Sequence, residues 1–195
     1  MPSLVTSALP AGSLGAQAQP DLPVRPGLAL RPWRVDDAPA VRAAFDCPRI
    51  QRWHVRRLDG EDEARAWTAR WAQLWRDETS ASWAVVDADD RPVGQVGLRG
   101  VLLEEASAQV SYWVVPAARG QGIAASALGA LTRWSFTRAG LHRLALEHST
   151  ANVASCRVAT RAGFPPEGLL RGSVRHTDGW HDMHLHARLR TDGPI

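Results

Sequence analysis

At 195 residues, with 45% hydrophobic and 22% charged residues, the chain has the size and apolar content of one globular domain, and its formal charge of +3 is too small to argue for nucleic acid as a partner. All 23 residues in the lysine-plus-arginine count are arginine. No lysine Schiff base can form, no pyridoxal phosphate can be anchored, and no G-x-x-x-x-G-K-[ST] phosphate loop can exist. In chain order, the opening "MPSLVTSALPAGSLGAQAQPDLPVRPG" has neither a basic stretch nor a continuous apolar run, so it reads as neither signal peptide nor membrane anchor. Its Pro, Ala, Gly and Gln content predicts a mobile arm over residues 1–26, followed by a folded domain over 27–190 and a tail over 191–195. Cys47 and Cys156 are isolated and read as free thiols in a reducing, cytoplasmic setting.

"LALRPW" from Leu28 predicts a short strand, and Asp36 or Asp37 caps a helix running to about Phe45. "PRIQRWHVRR" is dense in arginine, with Arg49, Arg52, Arg56 and Arg57 forming either a solvated face or a surface for an acidic acceptor. Asp59 opens the next helix, along which Ala64, Trp67, Trp71, Leu74 and Trp75 recur at helical spacing, as a core-facing stripe requires. "SWAVVD", "PVGQVGLRGVLL" and "SAQVSYWVV" are strands, the first two joined by a turn-rich Asp87–Arg91 segment. A helix follows from Gly122 to about Ala139, then the strand "HRLALEHS", the short helix "NVASCRVATRAG", and a last strand pair around Thr177, Asp178 and Gly179. The order predicts a mixed α/β fold.

"VVPAARGQGIAASALGAL" places a glycine turn where a strand hands over to a helix. Such a helix start exposes unpaired backbone N–H groups at its positive end, which suits a phosphate. Arg119 supplies charge, Gly120, Gln121 and Gly122 form the turn, Ile123 follows as a further candidate for cofactor contact, and Ala124 and Ala125 keep the first helical turn slim. A dinucleotide fingerprint, G-x-G-x-x-G early in the chain with a later acidic partner, is absent.

These segments resemble the GCN5-related N-acetyltransferase (GNAT) superfamily, and within it the RimJ/RimL-like branch. "LALRPWRVDDAPAV" is similar to that branch's first strand and helix, "VSYWVVPAARGQGIAASAL" to its acetyl-CoA motif, "NVASCRVATRAGF" to its Asn-x-x-Ser helix, and "EGLLRG" and "DGWHD" to its closing strands. The resemblance implies a central sheet splayed between the fourth and fifth of the strands counted from Leu28, flanked by helices, with acetyl-CoA as co-substrate in the gap. It implies that a backbone amide near a bulge, at Trp113, Val114 or Val115, holds the thioester carbonyl. It also assigns cofactor contact to Asn152 and Ser155, with Ser155 as proton donor to the leaving thiolate.

Acetyl transfer further requires a neutral amine, hence a proton acceptor. The position where some relatives carry a carboxylate is close to Val174, which is apolar, so His148 and His176 become the candidates, with Glu105 a poorer third. "HDMHLH" raises a metal site, but on a strand His184 and His186 face one way and His181 the other, so no metal is expected. The expected acceptor is a protein N-terminal amine of the ribosomal-protein kind. A small-molecule amine such as an antibiotic or polyamine, or a non-catalytic acyl-CoA-binding regulatory module, remains open. No nucleic-acid or membrane partner is expected, and a homodimer is compatible with the sequence.

Overall fold

A computed structural model describes residues 4–193. Eight strands form one sheet in the order β1-β2-β3-β4-β5-β6-β8-β7, with β1 Leu22–Arg25, β2 Leu28–Pro32, β3 Ser80–Asp87, β4 Pro92–Leu102, β5 Ser107–Val114, β6 Arg143–Ser149, β7 Pro166–His176 and β8 Gly179–Leu189. The helices are α1 Ala38–Phe45, α2 Pro48–His54, α3 Glu61–Arg76, α4 Ile123–Thr137 and α5 Val153–Arg161. The mixed α/β expectation therefore holds, with β1 and α2 added to the elements read from the sequence.

Every strand pairing is antiparallel except β5 with β6. That parallel pair runs only from Ser107 opposite Arg143 to Gln109 opposite Ala145. Beyond it, Val110–Val114 and Leu146–Ser149 diverge, and the sheet opens into a wedge. Successive side chains on a strand point to opposite faces, so β5 serves two cores. Tyr112 packs on a large cluster containing Trp83, Leu128, Leu131, Leu146 and Phe164. Trp113 enters a second cluster with Val41, Phe45, Ile50, Trp67 and Trp71.

The arm expectation is corrected by the described residues 4–26. Leu14 and Leu22 are buried, and β1 pairs with β2. The indole N–H groups of Trp75 and Trp83 donate to the carbonyls of Gln17 and Pro20, each at 2.7 Å, while the Glu78 carboxylate accepts from the amides of Gly12, Leu14 and Gly15. Buried indole donors need acceptors, and the arm supplies them. Folded structure thus begins well before Gly27. At the other end, residues 191–193 form a turn in which Asp192 accepts from the Leu189 amide.

The start of α1 is fixed by a buried ion pair. Arg31 donates twice to Asp37, at 2.7 and 2.9 Å, and once to Asp90 at 2.6 Å. The bidentate pair ties the end of β2 to the start of α1, and the Asp90 contact ties both to the β3–β4 turn.

Candidate active site

The wedge between β5 and β6 is the mouth of a cavity of about 730 Å³. Its walls bring together α2, the ends of β5 and β6, the turn before α4, and the start of α5. Trp113, Val114, Arg119, Gly120, Gly122, Ile123, Ala124, Ala125, His148, Asn152, Ser155 and His176 all line it, whereas Val115 and Gln121 do not.

The glycine turn matches the sequence reading. Gly120 and Gly122 have φ of +80° and +72°, a left-handed conformation that favours glycine, and a Cβ on either would meet no protein atom within 4 Å. The space beside them belongs to the cavity. The first helical bond of α4 runs from the Ser126 amide to the Gly122 carbonyl at 3.0 Å, so the amides of Ile123, Ala124 and Ala125 precede the intrahelical ladder. Arg119 differs from expectation. Its guanidinium donates Nε–H to the Val114 carbonyl at 3.0 Å and reaches the Cys47 sulfur at 3.3 Å, which commits it to the end of β5. Burial pushes the Cys47 thiol up, but the Ile50 amide and Arg119 outweigh it, and its pKa lies below the ordinary value.

No bulge occurs at Val114. Gly94 opposite Val114 and Gln95 opposite Trp113 are in regular register, and the irregularity lies between Arg99 and Leu102. The amide is freed by the splay instead. The Val115 amide donates to the Val93 carbonyl, and antiparallel alternation then turns the N–H and C=O of Tyr112 and Val114 away from β4 and into the wedge. Their carbonyls are taken by His54 Nε2–H (3.1 Å) and by Arg119. Burial, then Arg99, pushes His54 down to about 4, so this imidazole is neutral at physiological pH. The arrangement leaves the Val114 N–H directed into the wedge.

Ser155 is not the cap of α5. Asn152 fills that role, accepting the Ser155 amide on Oδ1 at 3.2 Å. The Ser155 hydroxyl lies 2.6 Å from the hydroxyl of Tyr112, across the wedge from α5 to β5. Burial pushes Tyr112 up to about 12, while its bond to Ser155 opposes the rise, so the phenol stays protonated at physiological pH. The pair is a chain of two hydroxyls able to deliver a proton to a leaving group. Sequence reasoning missed Tyr112, although it is the sole tyrosine in the chain and sits beside the glycine-turn motif.

The two histidine candidates separate. His148 uses both ring nitrogens, Nδ1 toward the Ser149 carbonyl at 2.9 Å and Nε2 toward His186 Nε2 at 3.3 Å. His176 is 6% exposed and donates Nδ1–H to the Arg52 carbonyl at 3.0 Å, while its Nε2 has no hydrogen-bond partner among the described residues. Against its ring, at 4.3 Å, lies His181, which bridges Ser149 Oγ (2.7 Å) and Asp178 Oδ1 (2.8 Å). Glu105 is exposed in the β4–β5 turn, at the far end of β5 from the wedge mouth.

The arginine cluster also divides. Arg52 pairs with Asp178 and Arg57 with Asp59 on the surface, as a solvated face would. Arg49 and Arg99 line the cavity, and among the described residues Arg56, Arg70 and Arg99 have no carboxylate partner. Burial and then Arg56 hold the pKa of Arg99 below the ordinary arginine value.

The family model described as the acetyltransferase (GNAT) domain matches residues 27–165. The chain belongs to the GNAT acetyltransferase family. It is an acetyl-CoA-dependent N-acetyltransferase. This acetyltransferase is 25% identical over 162 residues to the uncharacterized N-acetyltransferase YoaA of Bacillus subtilis, covering 82% of the chain and 92% of that relative. It is 28% identical over 109 residues to the ribosomal-protein-serine acetyltransferase of Escherichia coli, covering 56% and 61%. Its fold matches Mycobacterium smegmatis RimJ in complex with CoA-disulfide at a TM-score of 0.82 and 24% identity, covering 90% of each chain. No helix among the described residues of this acetyltransferase is long and apolar enough to cross a membrane.

Proposed function

We propose that this acetyltransferase modifies the α-amine of a protein or peptide N-terminus that carries acidic groups close behind it. The observation that carries the reading is Arg99, a cavity-lining guanidinium without a carboxylate partner, reinforced by Arg56 and Arg70 nearby. Arg99 is half-buried with only the Ser111 hydroxyl as a partner, and an anionic acceptor would supply the missing counter-charge on binding. A polyamine would add positive charge to the same wall. The ribosomal-protein-serine acetyltransferase among the relatives supports a protein acceptor.

Acetyl-CoA is held by the amides of the Gly120–Ala125 turn, with the thioester carbonyl on the Val114 N–H. The amine attacks the carbonyl carbon, forming the C–N bond, and gives a proton to His176 Nε2. The C–S bond then breaks, and the CoA thiolate takes a proton through Ser155 and Tyr112.

Peptides identical except for the residues following an N-terminal serine test the acceptor. Thiol release is expected to be about tenfold more efficient, as kcat/KM, for acidic than for basic sequences, and Arg99→Gln should erase most of that preference. Faster turnover of spermidine than of any peptide, or a preference unchanged in Arg99→Gln, would overturn the reading.

A further inference from the structure

We propose that His148, His184, His186 and Cys156 form a site for a single zinc-class transition metal ion behind the α5 wall of the cavity. The four ligand atoms lie within 4.8 Å of one another. They come from three elements, β6, β8 and α5, and the β6–β8 register explains the juxtaposition. His148 stands directly opposite His184, and Leu146 opposite His186, so the three imidazoles share one face of the sheet beneath Cys156 on α5. Along β8, His181 faces the opposite way from His184 and His186, and the neighbouring strand β6 supplies the third imidazole.

Two features distinguish this cluster from histidines packed by chance. His148 and His186 each donate Nδ1–H to a backbone carbonyl, of Ser149 at 2.9 Å and of Phe164 at 3.0 Å. Carbonyls accept only, so both rings are fixed in the tautomer whose Nε2 carries a lone pair, the second-shell arrangement of metal-bound histidine. With both rings neutral, the two Nε2 atoms face each other at 3.3 Å with no hydrogen between them. Two lone pairs repel at that distance unless a cation sits between them. Tetrahedral bonds of about 2.0–2.1 Å to a common zinc ion would separate two nitrogens by about 3.3–3.4 Å, which matches the observed spacing.

The donor set selects the metal. Three imidazoles and one thiolate, with no carboxylate, suit zinc, and cobalt(II) as its spectroscopic substitute, over calcium, magnesium or manganese. Cys156 and His184 are half-buried, so an ion can enter from that side, and small side-chain rotations close the remaining distances. On binding, the Cys156 thiol releases its proton to solvent as the sulfur–metal bond forms. With four protein ligands the site is closed, and its role is to clamp β6, β8 and α5 together next to Ser155.

The test uses the full chain, dialysed against a chelator and titrated with cobalt(II). The expected result is one metal ion per chain, with a thiolate-to-cobalt charge-transfer band and the intense visible bands of four-coordinate cobalt, all displaced by zinc. At about 100-fold excess over Kd, zinc should raise Tm by roughly 5–10 °C. Cys156→Ser should abolish the charge-transfer band, and His184→Ala should abolish the four-coordinate spectrum and the Tm shift. His181→Ala, on the opposite face of β8, should retain all three. Melting of each variant without metal shows that it is folded. Absence of the cobalt bands, or bands that persist in both Cys156→Ser and His184→Ala, would overturn the proposal and leave a proton shared between His148 and His186 as the occupant.

Discussion

Replacing Ser155 with alanine is expected to lower kcat by about 10²-fold or more while acetyl-CoA affinity stays nearly unchanged, because the lost contact is made mainly as the thiolate departs. The structure removes the ordinary competing role for this residue. Asn152 caps α5, so the Ser155 hydroxyl is not needed to start the helix. Its partner is the Tyr112 hydroxyl at 2.6 Å. Stability should fall modestly, by about 1 kcal/mol, since the variant removes the 2.6 Å hydroxyl contact and leaves the half-buried phenol the Ser155 carbonyl at 3.4 Å. Tyr112→Phe should produce a comparable loss of kcat, and the double variant should be little worse than either single one, because the two hydroxyls act as one relay. Burial pushes Tyr112 up to about 12, so the relay keeps its proton as pH rises from neutrality and contributes no alkaline limb below that value. Steady-state kinetics and thermal melting on the three variants check this. Normal turnover in Ser155→Ala would move thiolate protonation to solvent.

His176→Ala is expected to lower kcat/KM at neutral pH by about 10²–10⁴-fold. In the proposed mechanism, the partnerless Nε2 is the acceptor of the amine proton. Without it, only amine that is already neutral can react. The variant's rate should therefore rise about tenfold per pH unit up to the α-amine pKa of about 7.7–8.0, recovering toward the parent at alkaline pH. A purely structural histidine would not change the shape of the pH profile. If His176→Ala keeps the parental profile and His181→Ala loses it, the proton instead travels through Ser149, His181 and Asp178, which are joined at 2.7 and 2.8 Å.

Local signals made much of this legible. The glycine turn, the Asn152-x-x-Ser155 spacing and the strand order depend on residues near one another in the chain, and the structure places them as read. What was missed depends on contacts between distant segments. The N-terminal arm has a mobile composition, yet it is fixed because Trp75 and Trp83, 58 and 63 positions away, need carbonyl acceptors. Helix α2 is seven residues long and was hidden by its arginines, which suggested only a charged surface. Tyr112 is an ordinary strand residue until the β5–β6 splay sets it opposite α5. The metal-ligand cluster needed the register between β6 and β8, which periodicity along a single strand cannot supply.

Mapping the product tests the central claim of acetyl transfer to an N-terminal amine most directly. An acidic peptide beginning with serine and containing an internal lysine is incubated with acetyl-CoA, and thiol release is followed alongside fragment mass spectrometry of the peptide. The expected result is a single acetyl group on the α-nitrogen and one equivalent of free CoA thiol per acetylated peptide. Acetyl-CoA that binds without releasing thiol to any amine, or acetylation confined to the lysine side chain, would contradict it.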